Sequence, residues 1–290
     1  MSHNTTIRSF YPGDKWLYYK LYGGVKSCDF ILPIYILPMM NRLKRMHLIS
    51  KWFYIRYSDP DFHIRLRIEL TSNIYFADVI HYIAKDIIKL CKAKMLYDYS
   101  INTHRREIER YGINAIYLTE NIFYIDSELI INILKKIRRC NRNIRWEIGL
   151  YLVDRYLNCF GYSDSKKLEI IGKMSESYHK EFGFNEHNMK PLNSMYRELR
   201  PIINNILSDK SEDTIWINIA SMMQKCCKEI VKLDGYKELY IHLNISSLIH
   251  MTINRLFASK NRLYELIIYD FLTRYYKSKI AIAQINYEKD

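Results

Sequence analysis

The sequence predicts an α+β protein, with a strand-rich N-terminal part forming a mostly antiparallel sheet and a helical C-terminal part packed on it. Three observations carry this. Segments rich in aromatic and β-branched residues, bounded by turn formers, fall within the first hundred residues. From about residue 114 onward apolar residues recur at helical spacing instead. Strands are thus segregated from helices rather than alternating with them, which separates α+β from a doubly wound chain.

Taken in order, WLYYKLYG at 16–23, WFYIRYS at 52–58, FHIRLRIEL at 62–70 and MLYDYSINT at 95–103 read as strands. Ser58-Asp59-Pro60-Asp61 is a tight connection with proline where its fixed φ suits a turn, so 52–70 is a predicted antiparallel hairpin. Residues 76–93 carry apolar positions at helical spacing. NAIYLTENIFYI from Asn114 is helical, and SELIINILKKIRR is expected to start afresh after an N-cap at Asp126 or Ser127. IRWEIGLYLVDRYLNCFG should end at Gly161, and Ser163-Asp164-Ser165 should open the next helix. LSDKSEDT at 207–214 is the best candidate for an exposed loop.

At 290 residues the chain can bury a large core, and 49% hydrophobic and 14% aromatic residues exclude disorder. Forty-four Lys+Arg against 31 Asp+Glu give a net charge of +13. That predicts anionic partners without choosing between nucleic acid, an acidic peptide and a carboxylate-bearing substrate. The densest basic group, Lys135, Lys136, Arg138, Arg139, Arg142 and Arg145, sits in a helical stretch and is expected to be a solvated face, so no direct nucleic-acid contact is expected. Six cysteines without a CxxC pair or zinc-type spacing read as reduced, mostly buried thiols of a cytosolic protein. The N-terminus lacks a basic-then-apolar signal layout, and the run FILPIYILPMM at 30–40 is too short and too proline-broken to cross a bilayer, so a cytoplasmic protein without a membrane partner is expected. No acidic, Cys or His set has metal-ligand spacing and no glycine-rich phosphate loop is present, so no metal and no cofactor is expected.

Three constellations could carry chemistry. In 62–70 alternation puts His63, Arg65, Arg67 and Glu69 on one strand face and Ile64, Leu66, Ile68 and Leu70 on the other. The apolar side is a core face. The polar side is either a solvated edge or an anion site whose guanidinium forks, rooted about 7 Å apart, suit a carboxylate. In HRREIERYG at 104–112, Arg106 and Arg110 would share a helix face, with Glu107 and Glu109 available for intrahelical ion pairs. In SLIHMTINRL at 247–256, Leu248, Ile249, Thr252, Ile253 and Leu256 form an apolar stripe, with His250 and Asn254 sharing a face beside it. His250 is either a satisfied helix residue or a proton shuttle suited to neutral pH.

Together, WFYIRYSDPDFHIRLR, REIERYG followed by TENIFYIDS, and SLIHMTINRL resemble in order and spacing the C-terminal glutamate-elimination domain of class I lanthipeptide dehydratases, a module that also occurs alone in thiopeptide pathways. The resemblance runs from Trp16 to about Lys279, implying a single module over 1–290. It implies an enzyme, a lyase, that expels glutamate from glutamylated Ser or Thr of a ribosomally made precursor peptide, leaving dehydroalanine or dehydrobutyrine, after a separate tRNA-dependent glutamyl-transfer protein has esterified them. It implies His250, Arg65, Arg67 and Arg110 as elimination residues, with His63, Arg106 and Asn254 as substrate-binding neighbours, a bacterial cytoplasmic setting, and a homodimer as a further form. The second glycine of the family's RYGG is Ile113 here, which could alter the turn after Arg110. A sister group of the same fold, the thiopeptide pyridine synthases, joins two dehydroalanines in a formal [4+2] cycloaddition with leader release. The 26 tyrosines would supply acid/base groups for that alternative. A non-catalytic peptide-recognition partner is the third reading.

Overall fold

The computed structural model describes residues 6–138, 140, 143–185, 187–208, 213–239 and 243–287. The chain forms two compact units, one of residues 1–138 and 228–259 and the other of residues 139–227 and 260–290.

The first unit is built on a four-stranded antiparallel sheet. Its strands are β2 (Trp16–Tyr22), β3 (Ile49–Tyr57), β4 (His63–Leu70) and β5 (Asp98–Asn102), in the order β3-β4-β2-β5. A two-stranded ribbon pairs β1 (Ser9–Phe10) with β6 (His104–Arg105). The expected hairpin is β3–β4, in register from Tyr57↔His63 back to a bulge between Ile49 and Lys51. Alternation on β4 falls as predicted, with Ile64, Leu66, Ile68 and Leu70 fully buried in the main core. That core also takes Leu17, Tyr19 and Leu21 of β2 and Trp52 and Tyr54 of β3. It is covered by α1 (Val25–Ile31), a π-helical turn at Leu32–Ile36, α2 (Leu37–Arg45) and α3 (Phe76–Lys92). The apolar run at 30–40 is therefore core helix. No helix among the described residues is long and apolar enough to cross a membrane.

After β6 come α4 (Ile108–Tyr111) and α5 (Ile116–Ile137), and the unit is completed by the end of α9 (Thr214–Ile230), α10 (Tyr236–Leu239) and α11 (Ile245–Leu256). Two expectations need correcting. Helix α5 runs unbroken through Asp126 and Ser127, because neither caps an N-terminus. The Asp126 carboxylate accepts from Arg255 at 2.7 Å and from Thr252 at 3.2 Å, and the Ser127 hydroxyl accepts from the Tyr54 backbone N–H at 3.3 Å. Segment 104–112 is not one helix either: His104 and Arg105 are strand, and the helix begins only at Ile108. Arg106 and Arg110 therefore do not share a face. Gly112 ends α4 at φ +80°, a conformation glycine adopts without strain.

An edge strand exposes unpaired backbone groups unless something covers them. Side chains close the outer edge of β3. Asn254 accepts from the Arg56 N–H at 2.8 Å and donates to its carbonyl at 2.9 Å, as a second strand would. Arg255 donates to the Tyr54 carbonyl at 2.9 Å. Breaking the buried Arg255–Asp126 pair would leave an uncompensated charge at this seam.

The second unit is helical: α6 (Arg145–Cys159), α7 (Asp164–Glu181), α8 (Lys190–Leu207), most of α9, and α12 (Asn261–Tyr287). Ser163 caps α7 as expected, accepting from the Lys166 N–H at 3.3 Å, and Gly161 sits at φ +73°. Buried polar ties cross its core, including Tyr276 donating to Asp154 at 2.7 Å. Of the basic stretch near its start, Arg139 and Arg142 lie outside the described residues, as do 209–212 of the expected loop.

Candidate active site

The face of the sheet opposite the main core carries the β4 residues His63, Arg65, Arg67 and Glu69. Antiparallel register arranges them in rows across the strands: Tyr22, His63 and Tyr57; Lys20, Arg65 and Ile55; Tyr18, Arg67 and Phe53; Trp16, Glu69 and Lys51. The solvated-edge alternative does not apply, since His63, Arg67 and Glu69 are all buried.

The rows differ in how their charges are met. Glu69 is taken up at one end by Lys15 at 3.2 Å, Lys51 at 3.7 Å and the Ser50 hydroxyl at 2.6 Å. It is therefore unavailable to neutralise Arg67. Arg65, Arg67 and Lys20 have no carboxylate partner among the described residues. Lys20 lies directly opposite Arg65 across the β2–β4 ladder. Like charges placed so repel, and an anion bound between them would relieve that repulsion. Lys20 escaped notice in the sequence because its strand partner is 45 positions away and its own segment reads as an ordinary half-polar strand.

Local contacts fix the two guanidinium groups. Arg65 stacks on the Tyr57 ring at 3.4 Å and donates from Nε to His63 Nε2 at 3.1 Å. Arginine has no acceptor to offer, so His63 presents a lone pair at Nε2 and its proton at Nδ1, donating to the Asp61 carbonyl at 2.8 Å. Burial lowers the His63 pKa, which agrees with a neutral ring. His63 thus orients Arg65. Arg67 lies against Tyr18 at 4.7 Å and Phe53 at 5.6 Å, and its Nε has no hydrogen-bond partner among the described residues. Burial lowers its pKa from a value so high that the charge persists.

Arg67 lines a small cavity of about 30 Å³ with His104, Glu107, Tyr111, Glu120, Phe123 and Met251 among others. Among the described residues neither His104 ring nitrogen has a hydrogen-bond partner, so unsatisfied polar atoms of two residues border one space with room for water. Burial drives the His104 pKa down to about 4. The Glu120 carboxylate is 3.7 Å from its Nε2, too far for a hydrogen bond to offset that. Burial also raises Tyr18, and raises Tyr111 to about 12, so both hydroxyls stay protonated near neutral pH and are donors rather than bases.

The other expected site residues divide. Arg110 donates from Nε to the Ser247 hydroxyl at 2.9 Å and pairs with Glu107 at 3.5 Å, its side chain partly open to solvent. Glu107, treated from sequence as an intrahelical ion-pair partner, also borders the Arg67 cavity, and of the two acids that line it, Glu107 and Glu120, it is the one paired with Arg110. His250 is half-buried, one turn after Ser247 and next to Met251 of the cavity wall, on a helix whose predicted stripe (Leu248, Ile249, Thr252, Ile253, Leu256) is wholly buried. Arg106 also lines the Arg67 cavity, where it forms a bidentate pair with Glu120, both bonds 2.7 Å, and it donates to the Ile7 carbonyl at 3.1 Å. Asn254 holds the Arg56 backbone. No group of three or more His, Cys, Asp or Glu among the described residues could hold a metal ion.

The sheet face thus carries cations without a carboxylate partner among the described residues, and helix α11 reaches the Arg67 cavity through Met251. Residues 16–276 match the family described as lantibiotic biosynthesis dehydratase, C-terminal, and the chain belongs to that family. It is 29% identical over 269 residues to the nisin biosynthesis protein NisB of Lactococcus lactis subsp. lactis, covering 86% of this chain and 26% of NisB. It is 28% identical to the epidermin biosynthesis protein EpiB of Staphylococcus epidermidis, covering 79% of this chain and 23% of EpiB. The chain spans about a quarter of the length of these curated relatives. Among solved structures, the fold is similar to the tRNA-dependent lantibiotic dehydratase MibB from Microbispora sp. 107891, with a TM-score of 0.70, 19% identity, and coverage of 92% of this chain and 28% of MibB. It is also similar to the pyridine synthase TbtD from thiomuracin biosynthesis, with a TM-score of 0.60, 9% identity, and coverage of 91% and 99%.

Proposed function

We propose that this chain is a single elimination module that expels glutamate from glutamylated Ser or Thr of a ribosomally made precursor peptide. The observation that carries the reading is the row structure of the sheet face, where Arg65, Arg67 and Lys20 lie together without a carboxylate partner among the described residues while nearby Glu69 is neutralised by lysines. A glutamyl ester formed through the α-carboxyl brings one free carboxylate and one ammonium, and departs as a second carboxylate. The cations receive the carboxylates and Glu107 receives the ammonium.

The reaction needs no redox partner. A base removes the α-proton of the esterified residue, the electron pair forms the Cα–Cβ double bond, and the Cβ–O bond breaks to release glutamate. His250 is the proton-transfer group, and Arg110, held by Ser247 on the same helix, places a positive charge beside it. The peptide and a separate glutamyl-transfer protein that uses glutamyl-tRNA are the partners this reading requires.

The test is a synthetic peptide carrying one serine esterified through the glutamate α-carboxyl. The chain should release glutamate and leave dehydroalanine, and His250→Ala should leave the ester intact. The likeness to a pyridine synthase supplies the competing outcome. If the ester survives while a peptide with two dehydroalanines becomes a pyridine macrocycle with loss of its leader, the chain is a cyclase. Binding of both peptides without conversion would make it a recognition partner.

A further inference from the structure

We propose that Cys159 and Cys227, in the second unit, form a redox-active dithiol that takes a peroxide through the cavity they line and closes to a disulfide. This inference is independent of the elimination reading.

Three observations converge. Cys159 ends α6 and Cys227 lies near the end of α9, yet each sulfur meets the other helix's backbone: Cys159 Sγ donates to the Cys227 carbonyl at 3.8 Å, and Cys227 Sγ to the Arg155 carbonyl at 4.0 Å. Both sulfurs therefore sit in the seam between the helices, with the Cys159 sulfur against the backbone of Cys227 itself. Second, both cysteines are only half-buried and line a cavity of about 630 Å³ with Tyr151, Arg155, Trp216 and Met223, so a small oxidant can reach them. Third, the pair is asymmetric. The neighbouring Cys159 thiol and the Arg155 guanidinium lower the Cys227 pKa, whereas the neighbouring Cys227 and burial raise that of Cys159. Cys227 lies near a helix C-terminus, which by itself disfavours a thiolate, so these two neighbours supply the preference. Neighbouring Cys226 is buried and directed to the Tyr156 hydroxyl at 3.8 Å.

The chemistry closes without a further reactant. The Cys227 thiolate attacks hydrogen peroxide, an S–O bond forms, the O–O bond breaks, and hydroxide leaves to take up the proton that Cys227 had released. The Cys159 sulfur then displaces hydroxide from the sulfenic sulfur, and its own proton completes the second water. Two thiols lose two electrons and two protons, and one peroxide becomes two waters.

The test uses the full chain, fully reduced and then titrated with hydrogen peroxide, read by intact mass and a non-reducing peptide map. The expected product has lost two hydrogens, links the Cys159 peptide to the Cys227 peptide, and reverts with dithiothreitol. Cys159→Ser should stop at a sulfenic acid on Cys227 that dimedone labels, and Cys226→Ser should cross-link like wild type. Circular dichroism checks that the variants fold, and the wild-type map decides the matter without them. A wild-type chain that stays reduced, or a cross-link between other cysteines, overturns the proposal.

Discussion

Replacing Arg67 with methionine should make the protein more stable and the enzyme inactive. Arg67 is 8% exposed and has no carboxylate partner among the described residues, where its Nε also makes no hydrogen bond, and its guanidinium rests on Tyr18 and Phe53. A buried charge without its partner costs several kcal/mol. Two aromatic contacts return about 1–2 kcal/mol each, leaving a deficit of a few. Methionine refills the volume of the stem with a flexible apolar chain and removes the charge. Arg67→Met should therefore raise the unfolding free energy by about 1–3 kcal/mol, the pattern of a site that trades stability for function. The same change removes a preorganised cation from the developing negative charge, costing about 2–4 kcal/mol in the transition state, or roughly 30- to 1000-fold in rate. Urea unfolding and single-turnover elimination on the glutamyl-serine peptide read the two effects separately. Glutarate gives a third reading: at tenfold its Kd it should stabilise wild type by about 1.4 kcal/mol and leave the variant unmoved. A variant less stable than wild type by more than about 1 kcal/mol would show that the charge is satisfied in the free protein, and wild-type elimination by a folded variant would remove Arg67 from the chemistry.

Three further outcomes follow from the same geometry. Lys20→Met should raise the KM for the glutamylated peptide roughly fivefold, about 1 kcal/mol of binding, with a smaller change in kcat; an unchanged KM would show that Lys20 meets no part of the substrate. His104 has a folded-state pKa of about 4, below its ordinary value, so the unfolded chain binds the proton first, and the stability present above about pH 6.5 is lost as pH falls toward 4. In urea unfolding at pH 7 and pH 4, His104→Phe should lose about 3 kcal/mol less than wild type between the two, and equal losses would contradict the burial of a neutral ring. Asp126→Ala strands the fully buried Arg255 and should cost about 3–5 kcal/mol, measured as a fall in the urea midpoint, whereas a loss under about 1 kcal/mol would mean the β3 seam does not depend on the pair.

What could be read from the sequence was whatever depends on neighbours along the chain. The β3–β4 hairpin, the parity of β4 and the stripe on α11 follow from local period and turn chemistry, and all three are as expected. Partners far apart in the chain are a different matter. Asp126 and Ser127 have the residue types of a helix cap, and nothing near them shows that Arg255 and Tyr54 will claim their side chains and let α5 continue. Arg106 and Arg110 look equivalent four residues apart, but Glu120 fixes one in the framework and Ser247 draws the other to α11. The polar face of β4 could not be identified as short of anions until the structure placed Lys20 opposite Arg65 and gave Glu69 to Lys15 and Lys51.

Helix α11 joins two requirements that are separable in principle. Its C-terminal half seals the β3 edge, with Asn254 bonding both backbone groups of Arg56 and Arg255 reaching the Tyr54 carbonyl. Two bonds to one residue fix the helix against the strand, because a shift of one strand residue, about 3.3 Å, breaks both. Its N-terminal half carries Ser247 to Arg110 and sets His250 beside the cavity wall. On a rigid helix the edge seal therefore fixes the position of His250, the proton-transfer group proposed above. Asn254, expected from sequence to touch substrate, is bonded to both backbone groups of Arg56 and, one turn from His250 on the same helix, fixes the register of that histidine against β3.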